Sequence, residues 1–321
     1  MPLLIGLVAL VLLSVAALLI GAVSLHVGDV LDALFGHGDS MVVSIVRNLR
    51  APRLLLAGLV GSGLAMSGGA LQGIFRNPLA EPYLLGVSGG AAVGAVVTMA
   101  LGFDHPVAVT AAAFVGAAVA TLSVSLVARI VAGRTDARML LMAGVVVGAF
   151  ANAVILVMLA DVPADRLRGA LWWMMGSAAG ATWSGVGRLA LAVFLFGGAL
   201  LWQARELDVL ALGEEPAAAL GANVDRTSRR VFLLASFLAA ATVAAAGLVG
   251  FVGLVVPNLA RAMGGRSHRR MLLLSAVYGA ALLVFADLVA RTARRPADLP
   301  LGAITALIGV PFFLARLRKL S

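Results

Sequence analysis

The chain has 321 residues, of which 62% are hydrophobic and only 12% charged, too little charge to cover a water-soluble domain of this size. A net charge of +9, carried by arginines and the single Lys319, would suggest nucleic acid in a soluble protein; here the arginines fall at the ends of apolar runs, where they set topology. Cysteine is absent, which excludes disulfides, thiolate metal sites and thiol catalysis.

Runs long enough to cross about 30 Å of hydrocarbon occupy 3–24, 53–73, 86–102, 107–131, 139–160, 185–204, 229–246, 248–264, 271–291 and 300–317. They predict an all-α, polytopic membrane protein of about ten transmembrane helices, forming a single domain over 1–321. The first run lacks a basic leader and exceeds the ~7–15 residues of a signal-peptide core, so it reads as a retained helix. Gly61, Ala65, Gly69 and Gly73 stripe the second span, and Gly86, Gly90 and Gly94 the third. Such four-residue spacing lets helix backbones approach closely.

Two polar residues interrupt the spans. Asn152 in the fifth either bonds another helix or lines a path. Asp287 in the ninth sits one turn from Arg291 on the same face and reads as a structural ion pair rather than a proton relay. Coupled carriers show more carboxylates and broken helices near mid-membrane, so the driving energy is expected from a partner.

The connection from Arg205 to Arg230 is shaped more than a linker requires. Leu207 to Leu212 is followed by Gly213, then Glu214 to Leu220, then Gly221. Acidic residues and a proline suit a helix start, and Gly221 suits a helix end. Two short helices separated by a glycine are predicted, as a docking surface.

Ten spans put both termini on one side. That side holds fifteen of the Arg and Lys residues, including Arg76, Arg138, Arg226 and Arg261; the other holds nine, including Arg50, Arg53, Arg188 and Arg291. The bias makes the first side, with both termini, cytoplasmic. Enzyme signatures fail. Gly86-Val87-Ser88-Gly89-Gly90 matches G-x-S-x-G formally, but reads as a loop and helix start. The zinc-protease HExxH and phosphate-loop patterns are missing from the sequence.

Several segments, in order, carry a resemblance: Arg50-Ala51-Pro52-Arg53-Leu54; Gln72 to Pro82, with Arg76-Asn77-Pro78-Leu79-Ala80-Glu81-Pro82; Leu85 to Ala91; Leu210-Ala211-Leu212-Gly213-Glu214-Glu215; Ala219-Leu220-Gly221; Gly250 to Asn258; Ala286 to Arg291; and Leu299-Pro300-Leu301-Gly302. Over about 45–317 the chain resembles the permease family of type II ABC importers for ferric siderophores, haem and cobalamin.

The resemblance implies a homodimer in the lipid bilayer of a bacterial inner membrane. It further implies two ATP-binding subunits that hold ATP and magnesium, and a periplasmic substrate-binding protein. No nucleic acid, catalytic residue, metal site or bound cofactor is expected on this chain. Coupling to the ATPase is assigned to Leu207, Leu210, Leu212, Gly213, Glu214, Glu215, Ala219, Leu220 and Gly221. Binding-protein docking is assigned to Arg50, Arg53 and Arg291. The gate location falls at Asp136 and Ala137. A short helix at the mouth carries Trp172, Trp173, Met174 and Met175, either as contacts for an apolar chelate or as an interfacial anchor. Asn258 stands where the family often has histidine, so no role of that histidine is carried over. The expected activity is import of an iron chelate, haem or ferric siderophore, by alternating access. The alternatives are cobalamin import by the same scaffold, a stand-alone secondary carrier, or an intramembrane hydrolase around Ser88.

Overall fold

A computed structural model describes residues 1–21, 23–132, 137–160, 162–294 and 297–317. Among them fourteen helices follow in chain order: α1 Pro2–Leu19, α2 Val27–Leu34, α3 Ser40–Phe75, α4 Val87–Ala100, α5 Pro106–Ala132, α6 Ala137–Ala160, α7 Ala164–Met174, α8 Trp183–Trp202, α9 Ala204–Leu210, α10 Glu214–Ala219, α11 Val224–Ala246, α12 Val252–Ala262, α13 His268–Thr292 and α14 Leu301–Leu317. No strand occurs among the described residues.

Each of the ten expected spans has its helix. Seven are long and apolar enough to cross a membrane: α1, α3, α5, α6, α8, α11 and α13. The other three are shorter. At 1.5 Å per residue, α4 (14 residues) and α12 (11 residues) reach only about 21 and 16 Å, so they traverse part of the hydrocarbon and are completed by irregular backbone. Two features were not expected: α2, and a start of α3 eleven residues before Ala51, through a π-helical stretch at Ile45–Arg50.

Helix α3 is the hub. Its small-residue stripe faces α13: a Cβ on Gly61 would overlap the Gly279 carbonyl, Ala65 borders Gly279, and positions 69 and 73 meet Met271 and His268. A second face, through Gly68, abuts the Gly253 backbone of α12, and Gly63 meets Thr242 of α11. On α4, Gly90 and Gly94 close on Gly116 and Ala112 of α5. These contacts replace side-chain interdigitation by backbone proximity, which suits helices with no hydrophobic drive between them in lipid. Helix direction gives the bundle two ends. Arg76, α9, α10 and the first turns of α6, α11 and α13 share one. The starts of α5 and α8, Arg53, and the last turns of α11 and α13 share the other.

Candidate functional site

At the Arg76 end, α9 and α10 form a projection. Leu207, Leu210 and Ala217 are buried and pin it to the bundle; each buried leucine contributes about 1.5–3 kcal/mol. Gly213 turns the chain at φ +117, a conformation costly for any residue with a Cβ. Glu214 and Glu215 occupy the first turn of α10, as the sequence predicts. Leu212 and Leu220 are 61% and 67% exposed, and Ala219, Glu215 and Gly221 are exposed beside them. Sequence reasoning placed the first short helix at Leu207–Leu212; it begins three residues earlier and ends at Leu210.

A groove of about 800 Å³ runs between this projection and the ends of α3 and α6, lined by Arg76, Ala137, Arg138, Glu214 and Pro216. The guanidinium of Arg76 stands 3.7 Å from Glu214. Ala137 therefore faces the projection; Asp136 lies outside the described residues. Behind the groove, Asp208 of α9 accepts two hydrogen bonds from His268, from the backbone N–H at 2.8 Å and from ring Nδ1 at 2.7 Å. An ionised carboxylate can only accept, which fixes that ring nitrogen as the protonated one.

Between the two ends, the segments around 72–82 and 250–258 lock together. Gln72 Nε2 donates to the carbonyls of Gly253 and Leu254 at 3.2 Å, and Asn258 Nδ2 donates to Pro78 O at 2.9 Å. Arg261 donates to Gln72 Oε1. Glu81 Oε1 accepts the Phe251 N–H at 2.6 Å, where Phe251 holds a left-handed φ of +68. Two stretches singled out separately in the sequence are thus one contact. Ser88, in the first turn of α4, donates its hydroxyl to Tyr83 O.

At the Arg53 end the three arginines assigned to docking turn into the chain. Arg50 is 6% exposed and donates to the carbonyls of Leu18, Leu19 and Val23. Arg53 Nε bridges both Asp287 oxygens at 3.0 and 3.1 Å, and its Nη1 donates to Asp298 at 2.8 Å. Arg291 donates to Ala17 O, and its Nε lies 3.8 Å from Asp287. The nearer partner of Asp287 is therefore Arg53 on α3, not Arg291 one turn away. Carbonyls left open at the end of α1 require donors, and buried carboxylates require cations; the arginines meet both needs.

The remaining pathway residues separate by exposure. Asn152 is exposed on α6, on one face with the exposed Val145 and Leu156. Trp172 and Met175 are 49% and 43% exposed. Trp173 and Met174 pack against the core, and the carbonyls of Met175 and Gly176 accept from Gly302 and Leu301. The short helix expected there is α7, Ala164–Met174, with Met175 as its C-cap. Sequence reasoning missed Asp208–His268, Glu81–Phe251 and the second acid, Asp298. Of these, Glu81, Phe251 and Asp208 lay in segments it had marked, whereas His268 and Asp298 did not.

Comparison with known proteins gives a consistent result. The FecCD transport family matches residues 8–319. A cobalamin import system permease protein of Halobacterium salinarum is 46% identical over 88% of this chain and 76% of its own length. A hemin transport system permease protein of Yersinia pestis is 39% identical over 96% and 92%. A solved inward-facing conformation of an ABC transporter assigned to the metal-chelate type superimposes with a TM-score of 0.89 at 30% identity, covering 99% of this chain and 98% of that one.

Proposed function

Since the chain belongs to the FecCD transport family, as the permease subunit of a type II ABC importer, we propose that it forms half of a homodimeric gate for a bulky metal chelate. ATP and magnesium are bound by two partner ATPases, and a binding protein delivers the cargo. The chain itself is a single transmembrane unit, 1–321, with no chemistry of its own. The arginine bias assigns the Arg76 end, with both termini, to the cytoplasm of a bacterial cell.

The observation that carries the reading is the α9–α10 projection. Leu212 and Leu220 stand exposed on a unit whose other leucines are buried, and an apolar pair with a polar rim is a surface for a protein partner. Glu214 and Glu215 complete the coupling surface. Push on α9 passes through Asp208 to α13, and through the tight α3–α13 contact to the opposite end. Packed interfaces of this kind switch between discrete arrangements, so ATP binding favours one and release the other.

The binding protein docks at the Arg53 end. There Arg50, Arg53 and Arg291 act as a frame that holds the docking surface in shape. Asn152 supports a pathway or dimer role for its face of α6, because a polar group turned to lipid is costly. Trp172 and Met175 offer apolar contacts at the mouth.

For cargo, the first reading is an iron chelate, haem or a ferric siderophore, in line with the hemin permease at 39% identity. The second is cobalamin, favoured by the 46% relative. Reconstitution in vesicles with the ATPase and binding protein decides, using hemin, a ferric siderophore and cobalamin in turn. ATP-dependent accumulation of one chelate is the expected result. Uptake driven by an ion gradient through this chain alone overturns the proposal.

A further inference from the structure

A second cleft, of about 590 Å³, opens on the flank between α5, α8 and α11. Its walls include Leu56, Leu189 and Ala241, and its floor is Phe114 and Phe196. Both floor rings pack against Phe237, with centroids 6.4 and 5.9 Å away. Two basic side chains, His105 and Arg188, line it, and no acidic residue does. Arg188 is exposed and makes no hydrogen bond or ion pair with a described residue.

Depth identifies the medium that fills the cleft. Helix α8 begins at Trp183, half exposed at the Arg53 end, the position of an interfacial aromatic. Counted along α8 at 1.5 Å per residue, Arg188 lies about 8 Å and Phe196 about 20 Å below it. A hydrocarbon leaflet is about 15 Å deep. The backbone of Arg188 therefore lies about half a leaflet below the interface, within reach of the headgroups for its long, upward-extending side chain, and the aromatic floor lies near mid-bilayer.

We propose that this cleft is a binding site for an anionic phospholipid, one acyl chain running down to Phe114 and Phe196 and the phosphate held by Arg188, with His105 as a second donor. A cation facing the bilayer without a carboxylate beside it is complementary to a lipid carrying net negative charge and discriminates against a zwitterionic one. The apolar walls hold the chain by burial. The site lies apart from the coupling projection, so its failure leaves the importer reading intact.

The test uses the purified full-length permease in detergent, titrated with phosphatidylglycerol or phosphatidylcholine of identical acyl chains and read by native mass spectrometry. Wild type should prefer phosphatidylglycerol by about fivefold, the effect of one cation at a membrane surface. Arg188→Gln should abolish the preference and Arg188→Lys retain it, with the elution profile unchanged in both. Ala244→Trp, which fills the cleft, should lower binding of both lipids. Equal binding of the two lipids by wild type, or an undiminished preference in Arg188→Gln, overturns the proposal. So does disulfide cross-linking of Ser184→Cys to a second copy, which would make the cleft a protein interface; the chain has no other cysteine.

Discussion

Asp208 and His268 join the projection to the start of α13, a 25-residue helix that crosses the bundle. One carboxylate oxygen accepts both the backbone N–H and the ring N–H of His268, in the first turn of α13, where a helix has unsatisfied donors and favours negative charge. Twenty-three residues later α13 reaches Arg291, and Asp287 within it grips Arg53. The two ends are thus tied by a single helix. Asp208→Ala should leave assembly with the ATPase intact while reducing the ATPase stimulation produced by loaded binding protein, and should cost about 0.5–2 kcal/mol as a lost cap. Full stimulation in the variant, measured as phosphate release in vesicles, would remove the lever from the account.

The projection makes a separable prediction. Leu212→Glu with Leu220→Glu alters exposed groups only, so thermal unfolding should stay within about 0.5 kcal/mol of wild type. Co-purification of the ATPase subunit should be lost. Leu207→Ala, by contrast, opens a cavity and should cost about 2–5 kcal/mol.

Arg53 is held between two carboxylates, so removing it should act on stability before it acts on docking. Arg53→Ala leaves Asp287 buried with only the more distant Arg291, a change expected to cost about 3–5 kcal/mol. The double variant Arg53→Met, Asp287→Leu removes both charges and should recover most of that loss. Binding-protein capture by the double variant, followed by surface plasmon resonance, then reports on docking without the confounding loss of fold.

Glycines differ sharply by place. Gly61→Val puts a side chain into the Gly279 backbone, which neither helix can yield without separating, so folded yield should collapse. Gly198, in α8, has open space where its Cβ would stand. Gly198→Ala should be neutral or stabilise by about 0.5–1 kcal/mol through helix propensity.

Much of this was legible in the sequence because lipid imposes strong local rules. Ten apolar runs correspond to ten helices, and the four-residue stripe on 61–73 meets α13 as its spacing demands. Gly213 and the paired glutamates mark the turn and the second short helix, since φ and first-turn charge are local properties. Helix α2 and the early start of α3 were not legible, because their residues 27–50 mix polar and apolar groups and pack only once Val30, Ala33 and Val46 meet in one cluster. The insufficient lengths of α4 and α12 as spans were masked by apolar coil on either side.

What the sequence alone determined is the medium and the type of element: hydropathy and length leave helices in a bilayer as the solution, and ordered short motifs mark the family. Which groups meet was decided only by the tertiary structure. Arg53 reads as a surface charge until α13 brings Asp287 beside it, and Asp208 has no sequence neighbour that hints at His268. The reason is physical. Burial and ion pairing depend on distance in space, and contacts spanning 60 or 234 residues are fixed by the docking of helices, which no local pattern encodes.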